Sequence, residues 1–142
     1  IWLGAEYAQS QSAKAGALDT MHDLLKEYIA ISGYEQLQCA LLETLANSTR
    51  GHRLSQDMLR SSGALELIAT VYTETERPEC VRRWVCHFLY FALAKNKPSQ
   101  AAVLRLKCGI KEKLTILASK DWSGWSTNEA AAVLNMLKLY KC

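Results

Sequence analysis

GALELIATVYTET, residues 63–75, has two partners in pattern elsewhere in the chain: GALDTMHDLLKEY at residues 16–28 and GIKEKLTILASKD at residues 109–121. The leading glycines, Gly16, Gly63 and Gly109, are 47 and 46 residues apart. Behind each glycine the apolar residues return at helical spacing, as Leu65, Ile68, Ala69 and Tyr72 do. One such stretch would mean little, but three in register are the mark of an internal repeat. A glycine at that place permits the left-handed backbone that ends one helix and turns the chain into the next.

The flanking sequence repeats as well. Before the glycines stand AEYAQSQSAKA, GHRLSQDMLRSS and SQAAVLRLKC, each about three turns of partly amphipathic helix. After the glycine helices come longer and more apolar ones, YEQLQCALLETLANS, PECVRRWVCHFLYFALAKN and TNEAAAVLNMLKLYKC. Pro78 and Pro98 suit helix first turns, where a missing N–H does no harm. Thr127 or Ser126 is the expected N-cap of the last helix, with Asp121 and Asn128 as alternatives. The chain therefore parses into three units over residues 1–48, 49–96 and 97–142, each of three helices. One unit cannot bury its apolar face alone, and stacking of neighbours supplies a continuous core. The chain starts at Ile1, so it is expected to be part of a larger protein, and its end, with Leu137, Leu139 and Tyr140 still apolar, is expected to be either the real C-terminus or a cut near a neighbouring repeat.

This pattern of a short helix, a GAL turn into a second helix and a long third helix resembles the armadillo repeat, in a divergent ARM/HEAT-like form. The resemblance covers essentially the whole chain. It implies an all-α fold, a single right-handed α-solenoid of about three armadillo-like repeats, and a scaffold that binds partners rather than an enzyme. It also implies a concave face built from the third helices. Importin-like members of that family hold an extended peptide there with a tryptophan and an asparagine one turn later. Aligning Leu45 and Leu93 with the family's leucine puts Glu43 and Asn47 at those positions in the first unit, and Phe91 and Lys95 in the second. Asn135 or Met136 takes the place in the third. Only Asn47 keeps the family's residue type, so recognition of import signals does not follow.

Composition agrees with a globular helical chain. Of 142 residues, 49% are hydrophobic, 22% are charged and two are proline, and no apolar run approaches the roughly 18 residues of a membrane span. The five cysteines, an odd number without a CxxC pair, argue against a disulfide framework or a structural zinc site. Cys39, Cys80, Cys86 and Cys108 fall in expected helices as small hydrophobes, which points to a reducing compartment, cytoplasm or nucleus. Charge is uneven, −3 over residues 1–71 and +6 over residues 72–142. The basic half makes nucleic acid an alternative partner.

No catalytic signature is present: no GxSxG, no phosphate-binding loop, no GxGxxG after a strand. No cofactor or metal is expected. His22, His52 and His87 fall in separate units. On the longest helix Trp84, His87, Phe88, Phe91 and Lys95 recur at i, i+3, i+4, i+7 and i+11. One expectation is that these aromatics are core. The sharper one is an apolar groove edged by Arg83, Lys95 and Lys97, receiving an amphipathic helix or an extended, acidic peptide. The residues expected to touch the partner are Glu43, Asn47, Arg83, Trp84, His87, Phe91, Lys95 and Asn135. Trp122-Ser123-Gly124-Trp125-Ser126 matches the W-S-x-W-S signature of cytokine-receptor ectodomains letter for letter. It sits between two helical stretches, where that β-sandwich signature has no place. Trp122 and Trp125 then form a loop that either caps the core or offers a second contact site.

Overall fold

The structure is a computed structural model that describes residues 16–29, 31–74, 78–106 and 109–137. These fold into helices α1 (Ala17–Tyr28), α2 (Glu35–Thr49), α3 (Arg53–Ser61), α4 (Ala64–Glu74), α5 (Glu79–Leu93), α6 (Lys97–Leu104), α7 (Ile110–Ala118) and α8 (Glu129–Met136), with no strand among the described residues. The fold is all-α. The expected first helix over residues 5–15, Cys108, Cys142 and the last turn after Leu137 lie outside the described residues.

Local chemistry explains the boundaries. Gly16 and Gly63 adopt φ 80° and 88°, the left-handed backbone expected of them. Gly109 does not: its φ is −80°, so the third turn is made without that device. His52, Asn96 and Asn128 cap α3, α6 and α8 by accepting the backbone N–H of Ser55, Ser99 and Ala131. Asn128, rather than Thr127 or Ser126, is therefore the cap of the last helix. Pro78 stands just ahead of α5, and Pro98 lies in the first turn of α6.

Packing follows a period of three helices. α2 lies against α5 and α5 against α8; α3 meets α6, and α4 meets α7. Neighbours in sequence also pair, α1 with α2, α4 with α5 and α7 with α8. The core they enclose contains Leu42, Leu45, Leu65, Ile68, Tyr72, Phe88, Leu89, Leu114 and Leu117, all essentially sealed from solvent. Phe88 thus belongs to the core and not to an outer row on α5, because its direction on the helix carries it beneath its neighbours. Burial also raises the Cys86 thiol, against a smaller lowering pull from the neighbouring Tyr72 hydroxyl, so this cysteine is an inert apolar group at neutral pH.

A polar seam crosses this apolar core. Gln56 donates from Nε2 to the carbonyl of Phe91 at 2.8 Å, and to those of Thr49 and Ala94 at 3.3 Å. Its own Oε1 accepts from Asn96 at 3.0 Å. Gln100 donates in the same way to the Leu93 carbonyl, seven residues back, at 2.9 Å. These glutamines satisfy carbonyls that a helix end leaves without an internal partner.

Candidate functional site: an aromatic line between two cavities

The outer face of α5 carries a row of rings. Trp84, His87 and Phe91 stand one turn apart and are half-buried. The ring centroids are 5.1 Å apart for Trp84 and His87, and 5.0 Å for His87 and Phe91, both edge to face. Such pairs attract at these separations. The loop between α7 and α8 lays Trp125 on the same row, 4.9 Å from Trp84 and 5.8 Å from His87.

Trp122 holds that loop down. It is 7% exposed, and its indole Nε1 donates to the Leu117 carbonyl at 3.0 Å. Gly124, at φ 86°, makes the bend between the two tryptophans. The Arg83 guanidinium lies 5.5 Å from the Trp122 ring centre, pairs with Glu79 and donates to the Asp121 carbonyl at 2.6 Å. Arg83 therefore fastens the foot of the loop, and its charge is already engaged. His87 Nδ1 lies 2.9 and 3.1 Å from the two carboxylate oxygens of Glu129, which is buried in the first turn of α8. This pair ties the row to the next helix.

A cavity opens at each end of the row. The larger, about 470 Å³, lies at the C-terminal ends of α2 and α5, with Arg50, Arg53, Tyr90, Phe91, Lys95 and Met136 in its lining. The Arg50 guanidinium sits 4.9 Å from the Phe91 ring centre, a cation–π contact. The smaller cavity, about 290 Å³, lies toward the N-terminal ends of the same helices and is lined by Glu35, Cys39, Glu43, Cys80 and Trp84, among others. Burial pushes the Cys39 thiol up to about 11, with the Cys80 thiol beside it adding to the shift. One end of the groove is thus basic and the other acidic.

The model of the family Armadillo-like helical domain-containing protein 2 matches residues 64–141, more than half of the chain. The chain belongs to this family. No curated protein and no solved structure gives a match. The family's name describes a helical fold and no activity. The armadillo-like match takes in α4 to α8, and with them the aromatic row, the tryptophan loop and Lys95. Glu43, Asn47, Arg50 and Gln56 come before it.

The armadillo-like packing brings only some of the expected residues together. Trp84, His87 and Phe91 form one surface with Trp125, and Glu43 shares the acidic cavity with Trp84. Asn47 is exposed one turn beyond Glu43 on α2. Lys95 is not on the helical row, because α5 ends at Leu93; it projects from the turn that follows. Of the two alternatives on α8, Met136 lines the basic cavity, while Asn135 is exposed outside that lining. Lys97 faces a different cleft, of about 300 Å³, shared with Leu104 and Leu137. Arg50, Tyr90 and Glu129 were not expected. Arg50 and Glu129 lie outside α5, and nothing in their local spacing announces a shared surface. Among the described residues no group of three or more His, Cys, Asp or Glu side chains could hold a metal ion. No helix there is long and apolar enough to cross a membrane.

Proposed function

We propose that this chain is a non-enzymatic protein–protein interaction scaffold, a right-handed solenoid of three armadillo-like repeats acting in the cytoplasm or nucleus. A helical or extended segment of a partner protein docks on the face formed by α2, α5 and α8. The observation that carries this reading is the row Trp84–His87–Phe91, left half-exposed between two cavities on a helix whose other side is core. Large rings beside desolvated pockets are the side chains that most often anchor a partner. The supporting helices are pinned by buried hydrogen bonds, so little of the binding free energy goes into ordering the receptor. Nucleic acid is the weaker reading, because Arg83 is engaged by Glu79, and Lys95 and Lys97 face separate cavities.

A photo-reactive phenylalanine analogue tests this. Placed at Phe91, it should form protein adducts in a cell extract. Placed at Ile116, exposed on α7 away from the row, it should not. Trp84→Ala should remove the Phe91 adducts while the helical circular dichroism stays the same. Equal labelling at both sites would refute a defined docking face. Adducts that vanish with nuclease would transfer the face to nucleic acid.

A further inference from the structure

We propose that the cavity between the ends of α2 and α5 receives an acidic partner segment, which seats one large apolar side chain on Phe91 and Met136 and places its carboxylates against Lys95 and Arg50. This rests on the docking reading above and names the chemistry of the occupant.

Lys95 is the main clue. It is the one non-glycine residue with positive φ among the described residues, at 54°. The structure contains its own control 44 residues earlier. There the chain leaves α2 through Arg50 and Gly51, at φ 63°, and enters α3 at the cap His52. After α5 it passes through Ala94 and Lys95 and enters α6 at the cap Asn96. The two turns do the same job, and the first uses glycine, which takes this backbone without strain. A lysine in the second keeps a strained conformation that a glycine would relieve, and strain of that kind collects where a side chain has a task.

The surroundings indicate the task. Lys95 is exposed, and no acidic partner faces it among the described residues. Arg50 is held over the Phe91 ring, with its guanidinium edge available. Arg53 shares its charge with Asp57 at 3.2 Å, which leaves Lys95 and Arg50 as the cations of this lining without an acidic partner among the described residues. Among the described residues no carboxylate lines the cavity, and its floor is Tyr90, Phe91, Ala94 and Met136. Cations around an apolar floor complement an apolar side chain flanked by carboxylates, and a guanidinium recognises a carboxylate through paired N–H groups.

The experiment uses the whole chain and three fluorescein-labelled peptides: one with acidic residues flanking a single phenylalanine, its amide counterpart, and its lysine counterpart. Fluorescence anisotropy should show binding of the acidic peptide only, weakened by salt. Lys95→Glu should reduce affinity about tenfold, and Lys95→Gly about three- to fivefold, the range of a partly exposed ion pair. Lys95→Gly should also raise the melting temperature by about 3 °C, because the left-handed strain is gone. A stability gain joined to an affinity loss separates a binding role from a structural one, which would move only stability. Equal binding of the amide peptide would overturn the acidic preference and leave the docking face standing. If none of the three peptides binds, the cavity assignment falls, and the photo-crosslinking result decides the docking face by itself.

Discussion

Gln56 and Gln100 occupy the same place in successive units, yet the structure gives them different loads. Gln56 is 4% exposed and serves the carbonyls of Thr49, Phe91 and Ala94 as well as the Asn96 amide. Gln100 is 8% exposed and serves the Leu93 carbonyl. Gln56→Ala would strand the Phe91 carbonyl, whose bond at 2.8 Å is the shortest of the set, and one of the two Asn96 amide hydrogens, the other staying on Asp57. Each buried polar group left without a partner costs about 1–3 kcal/mol. The Ala94 and Thr49 bonds are longer, and the adjoining cavity lets water reach this edge, so the expected total is about 3 kcal/mol rather than the full sum. Gln100→Ala should cost about 1 kcal/mol, the net worth of one hydrogen bond. For a chain of this size the first figure corresponds to a loss of about 10 °C in Tm. Urea unfolding followed by circular dichroism reads both variants, with an unchanged m-value as the sign that only stability moved. If Gln100→Ala costs as much as Gln56→Ala, or if Gln56→Ala costs under about 1 kcal/mol, the seam is not what joins the units.

The tryptophan loop predicts a second contrast. Trp122→Ala should destabilise by about 3–5 kcal/mol, as removal of a buried aromatic does. Trp125→Ala should cost roughly 1 kcal/mol, the value of edge-to-face contacts at a partly exposed site, and both are measurable in the same urea titration. A third prediction concerns acid. Burial pushes the Asp57 carboxyl up, but hydrogen bonds from Asn96, Arg53 and Arg60 outweigh this and hold it below the ordinary range. A carboxyl lowered by folding contributes stability above its unfolded pKa of about 4, and that contribution is lost as pH falls through the folded value. Urea midpoints measured across that range should fall more steeply for the wild type than for Asp57→Asn, and parallel curves would refute the assignment.

The repeat was legible because Gly16, Gly63 and Gly109 punctuate helices with regular apolar spacing. The third turn shows what that signal consists of. Gly109 forgoes the left-handed backbone and the helix still begins at Ile110, so the apolar period mattered more than the glycine. Phe88 is core while Trp84, His87 and Phe91 stay half-buried, a division that spacing leaves open because i+3 and i+4 both fall within one helical stripe. Lys95 was put on the helix because no glycine marks the end of α5, and the chain turns there through a lysine. The seam was hidden for a different reason. HRLSQ at residues 52–56 and NKPSQ at residues 96–100 repeat at 44 residues, but one glutamine per short helix looks like surface. Its distant acceptors, Phe91 on α5 and Ala94 just past its end, lie 35 and 38 residues away, and only packing reveals them.

The two rings of the tryptophan loop divide their duties over three residues of chain. Trp122 is the root, sunk under α7 and covered by Arg83, and it keeps the loop in place. Trp125 is the display, set against Trp84 on the aromatic row. The two rings touch edge to face at 5.4 Å, but Trp122 keeps its own bond to Leu117 and its cover by Arg83, so residue 125 can be exchanged while the helices and the loop path persist. On the docking reading proposed above, such an arrangement lets the choice of partner drift by single substitutions at one loop position, with the helices beneath it unaltered.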